Sequence, residues 1–110
     1  MSEVVICAVA RTPVGRYRGA LSDRSAVELG IHAVKGLLER ANIDPASGII
    51  DEVLFGQVLQ AGAGQAPARQ VALGAGMPHS TPATTINKVC GSSLKAVMMA
   101  ANSIRSGEYE

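Results

Sequence analysis

The chain alternates short apolar runs with stretches of helical periodicity. Val4-Val5-Ile6-Cys7-Ala8-Val9 is unbroken and rich in β-branched residues, which predicts a central strand buried on both faces of a parallel sheet. Arg11-Thr12-Pro13-Val14-Gly15-Arg16 ends it in a turn, and Tyr17-Arg18-Gly19 extends the loop. Ser25-Ala26-Val27-Glu28 then has the spacing of a capping box, with Ser25 as N-cap and Glu28 reaching back from the third helical position. Val27, Ile31, Val34 and Leu38 line one side of the helix that follows; Glu28, His32, Lys35 and Glu39 line another. One face therefore packs on the sheet and the other meets water. Asn42 suits a left-handed cap, and Pro45 lies just beyond the helix end.

A second strand is predicted over Asp51–Leu59, followed by a flexible loop at Ala61-Gly62-Ala63-Gly64. Pro67 suits the first turn of a short helix running to about Ala75, closed by Gly76 and Pro78. A third strand is predicted from Thr84 to Val89, and a third helix from Cys90 to Ser106 with Gly107 as its C-cap. The order β-α-β-α-β-α implies an α/β fold, a mostly parallel sheet with helices on both faces. Right-handed crossovers put the first two helices on one face if the three strands lie side by side. The third helix is apolar almost all round: Leu94, Val97, Met98, Ala101 and Ile104 form one face, and Ala96, Met99 and Ala100 widen it. Such a helix wants burial on more than one side. The chain offers too little to cover it, so the expectation is a fragment of a longer protein, with a sheet edge and this helix left open.

Composition narrows the picture. A chain of 110 residues suits one domain, and 47% hydrophobic with 17% charged residues is core-forming rather than disordered. A net charge of +1 with one Phe, two Tyr and no Trp gives neither the basic stripe nor the stacking surface of a nucleic-acid binder. No apolar run is long enough to cross a bilayer. Cys7 and Cys90 form no C-x-x-C pair and read as reduced thiols, which makes the cytoplasm the expected compartment. Cys7, inside the first apolar run, reads as structural.

The candidate chemistry concentrates at Thr84-Thr-Ile-Asn-Lys-Val-Cys90-Gly-Ser-Ser93, where a strand hands over to a helix. A thiol at that junction lies near unsatisfied backbone N–H groups and the positive end of a helix dipole. Those groups favour the thiolate, which is the nucleophile. Gly91 leaves room for a substrate carbonyl, and Ser92 and Ser93 can bond locally or cap the helix. The bland alternative is a small buried hydrophobe, a common role for free cysteine. An ordinary thiol of pKa about 8.5 is only slightly ionised at neutral pH, so a base, most naturally a histidine, is called for.

The histidines fit that role poorly. His32 lies on the polar face of the first helix, and His79 sits in a Met-Pro-His-Ser-Thr-Pro loop that would have to fold back across a strand end. Gly62-Ala63-Gly64-Gln65-Ala66-Pro67 lacks the third glycine of a dinucleotide fingerprint and the Gly-Lys-Ser/Thr of a P-loop, and reads as a mobile turn. Arg11, Arg16 and Arg18 form a small basic loop suited to water, a subunit contact or an anion. No His/Cys/Asp/Glu set has metal-ligand spacing.

Asn87-Lys-Val-Cys-Gly-Ser-Ser-Leu-Lys-Ala96 resembles the nucleophile segment of the thiolase family, in its acetyl-CoA acetyltransferase branch. Arg11-Thr12-Pro13 with Gly15, Asp51-Glu52-Val53 with Gly56, and Gly64-Gln65-Ala66-Pro67-Ala68-Arg69-Gln70 agree in order and spacing. The resemblance covers essentially the whole chain. It implies that residues 1–110 are part of a thiolase N-terminal domain whose later strands, and a similar second half, lie outside this sequence. It implies that Cys90 attacks the thioester of acetyl-CoA, forming an acetyl-thioester intermediate, and that its backbone N–H joins an oxyanion hole. A second acetyl-CoA then yields acetoacetyl-CoA; in reverse, a 3-ketoacyl-CoA is cleaved, as in fatty acid metabolism. The family's activating histidine, its asparagine-held water with a further histidine, and its second cysteine match no residue here. The resemblance implies acyl-CoA substrates, a homo-oligomer (dimer or tetramer), no separate cofactor, no metal, and no nucleic-acid or membrane partner. The isolated chain is expected to be inactive. Other readings stay open: a ketoacyl synthase, a non-catalytic acyl- or lipid-binding protein of the same fold, or a structural piece at a subunit interface.

Overall fold

The structure, a computed structural model, describes residues 3–110. Its centre is a two-stranded parallel ladder of β1 (Val53–Gly56) and β2 (Ala83–Ile86), in register Val53 with Ala83 and Gly56 with Ile86. Three α-helices surround it: α1 (Ala26–Arg40), α2 (Pro67–Gly74) and α3 (Ser92–Ser106). A short 3-10 turn at Pro45–Ser47 follows α1.

Strand alternation assigns the faces. Val53 lies in a closed core with Val34 and Leu38 of α1, Val71 and Ala72 of α2, and Ala75 and Met77 beyond it; Phe55 packs against that core. Thr85, which faces Phe55 in the register, accepts a hydrogen bond at Oγ1 from the Ala68 N–H of α2 (3.0 Å). Leu54 and Gly56 point to the other face, where they line an open apolar groove with Ala96, Val97, Ala100 and Ile104 of α3. The fold is α/β with a parallel sheet and helices on both faces, as the sequence pattern implies.

The ends of α1 follow the sequence closely. The Glu28 N–H donates to Ser25 Oγ (3.1 Å) and the Ser25 N–H donates to Glu28 Oε2 (2.7 Å), completing the capping box. Val34 and Leu38 are buried, Lys35 and Glu39 lie on the opposite side, and Asn42 takes the left-handed conformation at φ 55°. Gly107 caps α3 at φ 80°.

One predicted strand is absent. Val4–Val9 carries no strand assignment and Val5, Ile6 and Val9 stand open to solvent. A strand exists only through pairing, and the β1–β2 ladder does not engage this segment. The Arg40 guanidinium ties it to the rest, donating to Val9 O (2.9 Å). Cys7, read from the sequence as a structural residue in a buried strand, is exposed for the same reason. The second and third strands are shorter than the apolar runs that predict them.

Candidate active site

The site grows out of the turn that links β2 to α3. Asn87 begins it with a side chain bonded twice: Nδ2 donates to Val58 O (3.1 Å), beyond the end of β1, and Oδ1 accepts from the Val89 N–H (3.0 Å). The Gly91 N–H donates to Lys88 O (3.1 Å) and the Ser92 N–H to Val89 O (3.2 Å), which closes the turn. Val89 sits inside it at φ 49°. A β-branched residue in the left-handed region is a genuine outlier, with a cost of order 1–3 kcal/mol that its surroundings must offset.

Cys90 follows directly and is exposed. Helix α3 begins at Ser92 with Gly91 as its N-cap, so Cys90 stands one residue outside the cap rather than on the first helical turn. No side chain caps the helix and its first turn carries no acidic residue, which leaves its positive end unopposed by acidic side chains there. Among the described residues the Cys90 N–H donates to no acceptor, while its neighbours' N–H groups are spent inside the turn. An exposed thiol beside an unspent backbone N–H is an arrangement that can attack a carbonyl and stabilise the resulting oxyanion.

Two residues fix the approach of α3 to the sheet. Ser92 is buried at 4% exposure; its Oγ accepts from the Lys88 N–H (2.9 Å) and donates to Val89 O (2.5 Å). Gly56, at the end of β1, lies against the start of α3, where a Cβ on it would meet Ser93 N at 2.6 Å and the Ser92 carbonyl carbon and Cβ at 2.8 Å. Only a glycine lets the two backbones come so close. Sequence reasoning gave Ser92 a generic local role and Gly56 none beyond the family resemblance. The available signal was the turn chemistry itself, an Asn followed by a Ser across a strand–helix junction.

The other sequence candidates do not converge on Cys90. His32 lies on α1, and His79 sits in a loop pinned by Arg69, whose guanidinium donates to His79 O and Thr81 O (2.7 Å each). Among the described residues neither imidazole hydrogen-bonds to Cys90. The glycine-rich turn is stitched down: Gln70 Nε2 donates to Ala63 O (2.9 Å) and Gln65 O (2.8 Å). The basic loop is exposed, with Arg18 over the Tyr17 ring at 5.3 Å. Among the described residues no group of three or more His, Cys, Asp or Glu could hold a metal ion, and no helix is long and apolar enough to cross a membrane.

Comparison with known proteins meets this geometry. The sequence profile of "Thiolase, N-terminal domain" matches residues 4–110. An acetyl-CoA acetyltransferase of Cupriavidus necator is 54% identical over the whole chain, which spans 28% of that relative. Among solved structures, an acetyl-CoA acetyltransferase of Syntrophomonas wolfei superposes with a TM-score of 0.90 at 36% identity, over 96% of this chain and 26% of its own. The Acat5 thiolase of Ascaris suum, in complex with coenzyme A, gives a TM-score of 0.87 at 40% identity, over 92% of this chain and 26% of its own. The chain thus spans about a quarter of the length of these relatives. From Val4 to Glu110, then, strained turn and exposed thiol included, this chain belongs to the thiolase N-terminal domain family.

Proposed function

We propose that this chain supplies the nucleophile of an acetyl-CoA acetyltransferase. The observation that carries the reading is the exposed Cys90 thiol at the strained Val89 turn, in a chain that matches the thiolase N-terminal domain over nearly its full length. The Cys90 thiolate attacks the thioester carbonyl carbon of acetyl-CoA. The carbonyl electrons move onto oxygen, where the Cys90 N–H donates to the oxyanion. Collapse breaks the bond to the coenzyme A sulfur, releases CoA and leaves acetyl-Cys90. A second acetyl-CoA loses an α-proton, and its carbanion attacks the acetyl carbon. The new C–C bond gives acetoacetyl-CoA and returns the thiolate. The reverse sequence cleaves 3-ketoacyl-CoA with CoA. Coenzyme A thioesters are substrates throughout, and the scheme needs no metal or separate cofactor.

The proton-transfer groups and the remaining strands of the domain come from sequence beyond these residues, so the 110-residue chain alone is inactive. In this reading the complete protein works as a homo-oligomer in the cytoplasm. Incubating it with acetyl-CoA and mapping peptides by mass spectrometry should place acetyl on the Cys90 peptide. Cys90→Ser should lower turnover by about 10⁴-fold or more, since loss of a covalent nucleophile removes the whole pathway. An acetyl-free Cys90 peptide, or a Cys90→Ser enzyme of wild-type turnover, would sink the reading in favour of an acyl-binding or structural role.

A further inference from the structure

We infer that Ser92 is the positioning residue for Cys90: its buried hydroxyl locks the strained backbone of Val89 and so sets where the thiol and the Cys90 N–H point. The reaction it serves is the acetyl transfer proposed above, and in that respect the inference rests on it. The hydroxyl spends its donor on Val89 O and an acceptor on the Lys88 N–H, the two residues before the nucleophile. It is therefore bonded on the N-terminal side of Cys90 while its own backbone opens α3 on the C-terminal side. The second anchor is steric. The bare Gly56 backbone fits against Ser92 and Ser93 with no room for a Cβ, so Ser92 has a fixed wall behind it. Asn87 holds the other side of the turn through the Val89 N–H.

Valine in the left-handed region is disfavoured, and a β-branched side chain returns to the extended region when released. That return rotates the peptide joining Val89 to Cys90 and swings the Cys90 N–H away from the oxyanion. Without the hydroxyl the Val89 carbonyl keeps, among the described residues, the longer bond from the Ser92 N–H (3.2 Å), too weak to hold the turn against that return. Glycine at position 89 would remove the penalty, because it adopts positive φ without steric cost.

The test uses the complete protein in four forms: wild type, Ser92→Ala, Val89→Gly and the double variant. Ser92→Ala should lower kcat for acetyl transfer about 10- to 100-fold, the range expected of a small misplacement of reacting groups. The KM for acetyl-CoA should stay within about 2-fold, since Ser92 is buried and holds the turn rather than the substrate. In the Val89→Gly background the same substitution should cost only a few-fold, the non-additivity expected of residues acting through each other. A crystal structure of Ser92→Ala should show Val89 at negative φ. Equal losses in both backgrounds, or a Ser92→Ala structure that keeps Val89 at positive φ, would overturn the inference. The double variant carries the test if Ser92→Ala does not fold, because a glycine in place of Val89 removes the strain: its crystal structure should keep position 89 at positive φ with kcat within a few-fold of Val89→Gly, and a further loss of about 10- to 100-fold counts against Ser92. A wild-type protein that never acetylates Cys90 overturns the thiolase reading instead, and the crystal structures still decide what Ser92 holds.

Discussion

The two faces of the β1–β2 ladder are built from similarly apolar sequence and end differently. On the α1–α2 face, Val34, Leu38, Val53, Val71 and Ala72 close into a core, with Val71 at 2% exposure. On the α3 face, Leu94, Val97 and Met98 remain half or more exposed, beside an open groove. The difference lies in what each helix meets. α1 has one apolar stripe and finds α2 and the sheet to cover it. α3 is apolar around most of its circumference, yet its buried residues are only Ser92 and Ala96. The closed face holds the chain together; the open face belongs to the helix that follows Cys90 and has room for further protein, consistent with relatives about four times as long.

The largest expected contrast is between Leu38 and Leu94. Leu38→Ala removes a side chain that is 5% exposed within the core and should destabilise the 110-residue chain by about 2–4 kcal/mol. Leu94→Ala removes one that is 68% exposed and should change its stability by less than about 0.5 kcal/mol. Urea titration of the two variants measures both. In the complete protein the Leu94 value should rise toward the Leu38 value if added chain covers α3. A Leu94 cost that is already large in the short chain would mean that α3 is buried there, and the comparison of faces would fail.

Two glycines sharpen the same contrast. On the closed face, a Cβ on Gly30 would meet Val71 Cγ2 at 2.8 Å; on the open face, a Cβ on Gly56 would meet the Ser93 backbone nitrogen at 2.6 Å. Both substitutions to alanine overpack, at roughly 1–3 kcal/mol each. Their effects on chemistry should part. A side chain such as Val71 can yield, so Gly30→Ala should lower the melting temperature of the complete protein with kcat near wild type. Backbone cannot yield cheaply, so Gly56→Ala should push the start of α3 and depress acetyl transfer by about 10-fold or more. Equal kcat values for the two variants would separate the Gly56 contact from catalysis.

Much of this layout was legible in the sequence, for reasons that differ between regions. α1 was readable because its signals are local: Ser25 and Glu28 cap it, four apolar residues at helical spacing define its buried side, and Asn42 ends it. The position of Cys90 between a strand and a helix was readable from the change of pattern on either side of it. Val4–Val9 misled because β pairing is non-local: a run of β-branched residues states a preference, and a partner strand must satisfy it. The strain at Val89 was not legible, since valine is among the residues least suited to positive φ and only the bonds of Asn87 and Ser92 reveal what holds it.

The smallest effect concerns acid, and it belongs to the closed face. Glu28 has its carboxyl held below its ordinary value of 4.5, first by the hydrogen bond from the Ser25 backbone N–H, then by the Ser25 side chain and the nearby Arg24 charge, against some desolvation. Because the folded pKa is lowered, folding favours the ionised form. The stabilisation is complete above the unfolded-state value and fades as the pH falls through the folded one. The melting temperature of the 110-residue chain should therefore lose a small increment below about pH 4.5, with the capping box opening at α1. Glu28→Gln keeps a group that can accept the same backbone bond but does not titrate, so its acid limb should be shallower than wild type by that increment. Acid limbs of equal slope would show that the box contributes through geometry alone and that charge at α1's first turn adds nothing to the closed face.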